Sequence, residues 1–276
     1  MAVDVLAEIL TNRVLSPDYN VLGFSAPEIA RLARPGQFVM VRPTNGNDPL
    51  LRRPFSIFEI LRDAAGRPAG VSILNKSVGA GTSKLYAAKP GDSLAILGPL
   101  GKSWLDVTTD AASESWFVAG GVGLAPFVTF AEHLAANKRP IRLFYGGRSQ
   151  SDLYYASLFS DLGAVLHLTT EDGTAGEKGR VTLPLERELQ SRPKNSVTLY
   201  ACGPTPMMRA VATLGQSFGA RTVVSLEPVM GCGMGGCYSC VVKVTDPSYE
   251  HPHHVRSCIE GPVFDAARVQ WEALVH

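Results

Sequence analysis

Four of the five cysteines fall in the last quarter of the chain, as Cys232-x4-Cys237-x2-Cys240 followed later by Cys258. No other feature constrains the fold as tightly, because four thiols so spaced invite one shared group. The arrangement is the plant-type spacing of ligands to a [2Fe–2S] cluster. Three thiolates on one tight loop can reach two irons from one side, and a fourth from a later segment closes the cage. Gly231, Gly233, Gly235 and Gly236 would supply the unusual backbone angles and close N–H approach that such a loop needs. A four-cysteine zinc site and unligated buried thiols are the other readings of the same residues. His251, His253 and His254 suggest a mixed-ligand centre with two His on one iron, but four cysteines already fill the ligand set. A polar inserted loop is therefore expected there, lengthening the interval between Cys240 and Cys258.

An odd number of cysteines argues against a complete disulfide framework. The segment Met1–Leu10 places Asp4 and Glu8 inside its apolar pattern and has no basic leader, so it does not read as a signal peptide. No run approaches the ~18 apolar residues of a membrane span. A cytoplasmic protein without a membrane anchor is expected. A formal net charge of +1, with no basic run interleaved with aromatics, argues against nucleic acid as a partner.

The chain's 276 residues, 45% of them hydrophobic, suffice for two domains and an appendage. Short runs such as Gln37–Val41, Phe55–Leu61 and Ser93–Leu97, punctuated by Pro35-Gly36, Asn45-Gly46 and Pro90-Gly91, predict an antiparallel β-barrel over residues 1–103. Strand-like runs then alternate with helix-length segments: Trp116–Ala119, Val122–Ala136, Ile141–Tyr145, Val165–Thr169, Val197–Ala201, Pro206–Phe218 and Arg221–Ser225. That alternation predicts an α/β domain with a parallel sheet over 104–226. Residues 227–276 then form a small metal-bearing domain, so the fold class is β followed by α/β followed by a [2Fe–2S] domain.

Two glycine turns fall at ends of strands in the middle region. Ala119-Gly-Gly-Val-Gly-Leu-Ala-Pro126 follows a strand and opens a helix, the setting in which N–H groups meet a pyrophosphate. Tyr200-Ala-Cys-Gly-Pro-Thr-Pro-Met-Met208 forms a second such crest, and two crests line one cleft in open α/β sheets. Cys202 lies in the second crest, where it reads as a packing and positioning residue with no nucleophilic role. In the first region, Arg52-Arg-Pro-Phe-Ser56 and Val78-Gly-Ala-Gly-Thr82 stand out. An Arg fork matches a phosphate, a Ser hydroxyl can bond a flavin edge, and Gly-Thr can offer an N–H and a hydroxyl to a pyrophosphate.

With these motifs the whole chain resembles the ferredoxin–NADP reductase superfamily: an Arg-x-(aromatic or aliphatic)-Ser flavin barrel, then Gly-Gly-x-Gly-x-Ala-Pro and Cys-Gly-Pro motifs. More narrowly, Cys232–Cys240 and Cys258-Ile-Glu-Gly-Pro-Val-Phe-Asp265 resemble the electron-transfer subunits of NAD-dependent dihydroorotate dehydrogenases. The resemblance implies FAD held by Arg53, Pro54, Phe55, Ser56, Leu74, Asn75, Lys76, Gly81 and Thr82. It implies NAD held by Gly120, Gly121, Gly123, Ala125, Pro126, Cys202, Gly203 and Pro204, and a [2Fe–2S] cluster held by Cys232, Cys237, Cys240 and Cys258. Phe55 stands where many superfamily members carry Tyr, so a ring can stack on flavin without a hydroxyl. Arg148 and Ser149 leave NAD against NADP open at the residue level, and the resemblance favours NAD.

The resemblance further implies a partner, an FMN-containing catalytic subunit that oxidises dihydroorotate in pyrimidine (UMP) biosynthesis, in a heterotetramer of two copies of each chain. No residue is assigned as a base for that oxidation, which belongs to the partner. Electrons would pass from the partner through the cluster and FAD to NAD⁺. FAD belongs in the middle, because nicotinamide exchanges hydride, a cluster takes single electrons, and flavin does both. Two alternatives share parts of this pattern. The small flavin subunit of electron-bifurcating NADH–ferredoxin oxidoreductases or of sulfhydrogenases has the same layout, although the bifurcating type typically places an acid where Cys232 stands. A non-enzymatic iron–sulfur redox sensor would account for the cysteines but not for the flavin and nicotinamide motifs.

Overall fold

The structure is a computed structural model that describes residues 2–108 and 114–274. The first sheet is built from β1 (Val3–Val14), β2 (Tyr19–Ser25), β3 (Phe38–Val41), β4 (Arg53–Ser56), β5 (Glu59–Arg62), β6 (Pro68–Lys76) and β7 (Ser93–Leu100). Its order is β4-β3-β7-β1-β2-β6-β5, antiparallel throughout. Alternation decides which side faces in: on β1, Ala7 and Ile9 are buried while Glu8 and Leu10 point outward. Leu22, Phe24, Val39, Val41, Ile73 and Ile96 complete that core, closed by Ile29 and Ala30 of α1 (Pro27–Leu32). The apolar run Phe55–Leu61 is two strands rather than one. The chain turns at Ile57 and Phe58, both buried, so each strand pairs with a different neighbour. Helix α2 (Ala80–Ala87) caps the end of β6, and α3 (Trp104–Val107) leads to the next sheet.

The second sheet contains β8 (Glu114–Gly120), β9 (Ile141–Gly147), β10 (Val165–Thr170), β11 (Glu177–Lys178), β12 (Val197–Cys202) and β13 (Arg221–Ser225), all mutually parallel. Alternate residues fill opposite faces: Phe117, Leu143 and Tyr200 pack with Phe130 and Leu134 of α4 (Val128–Ala136), together with Phe159 of α5 (Ala156–Asp161). Trp116, Val118, Phe144 and Leu199 pack with Leu185 of α6 (Thr182–Gln190) and Val211 of α7 (Thr205–Phe218). The strand order is β11-β10-β9-β8-β12-β13, so the winding reverses between β8 and β12. Open parallel sheets place their ligand crevice at the carboxyl ends of the strands flanking such a reversal.

Both glycine turns stand at that point, but the first does not open directly into an α-helix. Gly121–Phe127 is a 3₁₀ stretch with Pro126 inside it, and α4 begins only at Val128. Pro126 has no N–H to donate, which favours the short irregular turn ahead of the helix.

Beyond β13 come the cysteine loop, a hairpin of β14 (Val241–Val244) and β15 (His253–Arg256), the short α8 (Ser257–Glu260), and β16 (Val263–Asp265). The histidine segment is thus only partly a loop: His253 and His254 lie on β15, paired with Val244 and Lys243. The extra residues between Cys240 and Cys258 are taken up as hairpin, which satisfies their backbone groups locally. Strand β16 pairs antiparallel with β13, so the second sheet continues across the boundary expected after residue 226. Val263 and Phe264 join the two cores of that sheet.

Candidate functional site

An open cleft of about 670 Å³ lies where the two sheets and the cysteine loop meet. Its barrel wall is β4 and the end of β6: Arg53, Pro54, Phe55, Ser56, Leu74 and Lys76 all line it. Strand parity separates Asn75 from its neighbours. Its side chain is fully buried on the opposite face, where Nδ2 donates to Asn20 Oδ1 (2.8 Å) and to the Thr82 carbonyl (3.0 Å). Asn20 in turn donates to Asn12, which holds the carbonyls of Tyr86 and Ala88 at the far end of α2. This amide ladder fixes α2 against the barrel.

The start of α2 is packed against Arg53. A Cβ on Gly81 would sit 3.1 Å from Arg53 Nε and 3.3 Å from Pro43 Cγ, so glycine is what lets the helix end approach the guanidinium. Arg53 Nη1 is steadied by the carbonyls of Leu51 (2.8 Å) and Arg52 (3.2 Å). The Thr82 hydroxyl accepts from the N–H groups of Val78 (2.8 Å) and Gly79 (3.1 Å), so it caps its own helix. An arginine beside a helix N-terminus with no acid in its first turn is a fitting place for an anionic group.

The two crests on the second sheet interlock. A side chain on Gly123 would run into the Cys202 carbonyl, and one on Gly203, whose φ is +146°, would meet the Gly120 amide at 3.0 Å. Gly120 itself leaves 2.9 Å to Pro204 Cδ and Met207 Sδ. Gly121 takes a positive φ of +55° and faces open space apart from the Tyr19 hydroxyl at 3.8 Å. Ala125 and Pro126 are buried behind the crest, and Ala125 also lines the cleft.

Two carboxylates complete the surroundings, neither singled out by sequence reasoning. Glu227, just past β13, lines the cleft with Oε1 3.6 Å from Cys202 Sγ. Its side chain is open to the cleft yet deep among protein atoms, and this burial pushes its carboxyl above the usual range. Burial, then the Glu227 charge, pushes the Cys202 thiol well up, so it is held neutral, consistent with packing rather than nucleophilic duty. The available signal for Glu227 was an acid at the carboxyl end of a strand in an open α/β sheet.

Asp152 is buried behind the crests. It accepts from Tyr19 Oη (3.2 Å), from Arg148 N and Nε (both 3.1 Å), and lies 3.9 Å from Lys76 Nζ. Burial pushes its carboxyl up, but the Arg148 hydrogen bonds and charge outweigh this and hold it below the usual range. It thereby ties the barrel strands carrying Tyr19 and Lys76 to the turn after β9. Arg148 is engaged by this acid, whereas the hydroxyl of Ser149 meets that of Ser151, at 2.7 Å.

The four cysteines are free thiols that converge in two pairs. Cys232 and Cys237 are hydrogen-bonding neighbours on the outer side, and Cys237 is exposed. Cys240 and Cys258 pair on the inner side, with the Cys258 N–H 3.5 Å from Cys240 Sγ. The inner pair packs with Phe38, Met40, Leu97, Leu100 and Met230, which binds the loop to the barrel. Hydrogen bonding to Ser239, then Cys232, lowers the Cys237 thiol to about 6, while burial and the Cys240 neighbour push Cys258 up to about 12. The Met234 N–H points at Cys232 Sγ (3.3 Å). Among the described residues no trio of His, Cys, Asp or Glu side chains forms a ready single-ion site. Two pairs of thiols suit a binuclear cluster, which divides four ligands between two irons. Gly231 and Ser239 belong both to this loop and to the wall of the cleft.

Comparisons with known proteins agree with this geometry. Residues 117–213 match the family model described as an oxidoreductase NAD-binding domain. Residues 227–270 match the iron-sulfur cluster binding domain of dihydroorotate dehydrogenase B. The electron transfer subunit of dihydroorotate dehydrogenase B (NAD(+)) from Desulforamulus reducens is 39% identical over 96% of this chain and 98% of its own. The subunit of the same name from Bacillus caldolyticus is 34% identical over 95% and 96%. Among solved structures, one described as an NADH-dependent reduced ferredoxin-NADP oxidoreductase, studied for flavin-based electron bifurcation, superposes with a TM-score of 0.82 at 29% identity, covering 98% of this chain and 91% of that one. The cytochrome b5 reductase domain of Ulva prolifera nitrate reductase shares the fold at 17% identity, with a TM-score of 0.64 over 79% of this chain and 93% of that one.

Proposed function

Because the chain belongs to the family of electron-transfer subunits of dihydroorotate dehydrogenase B (NAD⁺), we propose that its three regions work as one conduit around the shared cleft. It is an oxidoreductase subunit that uses FAD, a [2Fe–2S] cluster and NAD and serves a catalytic partner subunit. When bound, FAD trades hydride with nicotinamide and single electrons with the cluster.

The observation that carries the reading is the cleft itself: β4, β6, the Gly120–Pro126 crest, Glu227 and the cysteine loop all line or border one cavity of about 670 Å³, a size suited to a cofactor ring. In this reading Arg53 and the start of α2, with Gly81 and Thr82, hold the FAD pyrophosphate. Phe55 offers a ring to the flavin face and Ser56 a hydroxyl to its edge, while Leu74 and Lys76 form the β6 side. Asn75 acts from behind, through the amide ladder that holds α2 in place. Gly120, Gly121, Gly123, Ala125 and Pro126 receive the dinucleotide together with Cys202, Gly203 and Pro204. Cys202 and Glu227 lie where nicotinamide would meet flavin, and the neutral thiol excludes water without attacking. Cys232 and Cys237 would hold the outer iron, and Cys240 and Cys258 the inner one.

The partner is an FMN-containing subunit that oxidises dihydroorotate, and the complex holds two copies of each chain in the cytoplasm. No helix among the described residues is long and apolar enough to cross a membrane. The domains are 1–103, 104–226 and 227–276, the last lending its final strand to the second. The bifurcating alternative has its support in the solved structure at 29% identity, but the curated relatives at 34–39% and the thiol at Cys232 favour dihydroorotate. Copurifying the tagged chain with its partner and identifying the flavins tests this. FMN in a partner that oxidises dihydroorotate is expected, with FAD, iron and sulfide on this chain. A hydrogenase or ferredoxin partner, or stoichiometric zinc without sulfide, would overturn it.

A further inference from the structure

Ser239 occupies a position that the ligand pattern does not require. It stands between Cys237 and Cys240, lines the cleft, and places its hydroxyl 3.3 Å from Cys237 Sγ. The hydroxyl is fixed from the other side, because it accepts the Gly231 N–H at 2.9 Å. An iron-bound Cys237 sulfur carries no proton and can only accept, so the single hydroxyl proton of Ser239 has two destinations: the Val229 carbonyl at 3.2 Å and the Cys237 sulfur at 3.3 Å. Sulfur is the larger atom, so the two distances are comparable contacts, and a thiolate or cluster-bound sulfur carries negative charge that a carbonyl lacks. Charge-assisted hydrogen bonds are roughly twice as strong as neutral ones, which directs the proton to sulfur. The pocket is preformed: a Cβ on Gly231 would lie 3.1 Å from Cys237 Sγ and 3.4 Å from Ser239 Oγ, so glycine there keeps the three groups together.

We propose that Ser239 is a positioning residue for electron transfer, whose hydroxyl donates a hydrogen bond to the Cys237 sulfur and raises the reduction potential of the cluster. The inference rests on the cluster assignment above. A donor at a ligand sulfur stabilises the more negative, reduced state, and hydrogen bonds to the sulfurs are among the determinants of cluster potential. Cys232 and Cys240 receive main-chain N–H groups, from Met234 and Cys258, which side-chain substitution cannot remove. The Ser239 hydroxyl is a side-chain donor and so an adjustable one. The same residue also lines the cleft.

The test is an anaerobic redox titration of the full chain in complex with its partner, following the reduced cluster by electron paramagnetic resonance. Iron, sulfide and FAD are counted beforehand. Wild type lacking iron and sulfide would sink the cluster reading itself. With wild type loaded, Ser239→Ala is expected to retain cluster and FAD while its one-electron equilibrium shifts about threefold to tenfold toward the oxidised form, roughly 30–60 mV at 59 mV per decade. Ser239→Thr, which keeps the hydroxyl, is expected to hold the wild-type potential. An unchanged potential in Ser239→Ala, or an equal fall in Ser239→Thr, would overturn the inference. Loss of the cluster from Ser239→Ala would also overturn it, making the serine a brace for the loop.

Discussion

The interlocked crests and the cysteine loop are both rich in glycine, yet for different physical reasons. At the crests the obstacle is backbone: Gly123 has no room for a side chain because the Cys202 carbonyl is there, and Gly203 because the Gly120 amide is. Neither neighbour can rotate away, since both sit at the ends of paired strands. In the loop the obstacles are mostly curvature and side chains. Gly233 and Gly235 have φ of +74° and +80° and face the side chains of Met40 and Ile259, while Gly236 faces nothing within 4 Å. A glycine-rich stretch therefore signals either two backbones in contact or one backbone that must bend.

Gly123→Ala should break the contrast most severely, because no side-chain movement relieves the overlap. A loss of about 3 kcal/mol or more is expected, at the upper end of overpacking costs, read by denaturant unfolding. A loss below about 1 kcal/mol would mean that the crests can separate. Cys237→Ser attacks the other side of the comparison. Its oxygen is a harder and poorer ligand for iron, so the cluster should be lost and transfer to the partner should fall by at least roughly tenfold. NADH should still reduce FAD, and a dye accepting electrons from flavin should still turn over. Partner binding is measured separately, so that a lost docking surface is not mistaken for a lost carrier. A cluster-free variant that binds its partner and couples dihydroorotate oxidation to NAD⁺ at the wild-type rate would refute the route.

Arg53→Ala should cost about 1.5–3 kcal/mol of FAD binding, roughly one to two decades of affinity, with the cluster retained. Fluorescence of released flavin measures it, and equal loss of both cofactors would indicate a folding defect instead. The smallest effect belongs to Gly236→Ala, whose new Cβ meets nothing and whose φ is not positive. Stability should stay within about 0.5 kcal/mol of wild type. A larger change would show that this glycine, too, is held by a contact.

Local chemistry explains what could be read in advance. Ligand spacing between Cys232 and Cys240 is a property of one short segment, and strand runs such as Arg221–Ser225 carry their period in themselves. Where a competing local rule intervened, boundaries moved: Pro126 delayed α4 to Val128, and strand pairing divided the run Phe55–Leu61. Parity was legible in principle at Asn75, which alternation sets opposite Leu74 and Lys76, but only once the buried face of β6 is known. Ser239 meets near neighbours in the chain, Cys237 and Gly231, and only its place on the cleft wall depends on the fold. Asp152 and Glu227 were not legible, because each acquires its role from groups distant in sequence. Tyr19 is the clearest instance, since its hydroxyl meets an acid 133 positions away.

The pairing of β16 with β13 bears on how such a protein can be taken apart or recombined. Cutting the chain after residue 226 removes an edge strand from the nicotinamide sheet, leaves Val223 and Val224 with an unpaired backbone edge, and deprives Arg221 of its ion pair with Asp265. Retaining β16 without the rest of the segment would preserve its pairing partner but not the stretch of chain that delivers it to β13. The iron–sulfur segment is thus not a cassette that can be transplanted at a linker. A graft onto another reductase would have to carry an acceptor strand with it, and a truncation meant to isolate the flavoprotein half would instead yield a sheet with a sticky, aggregation-prone border.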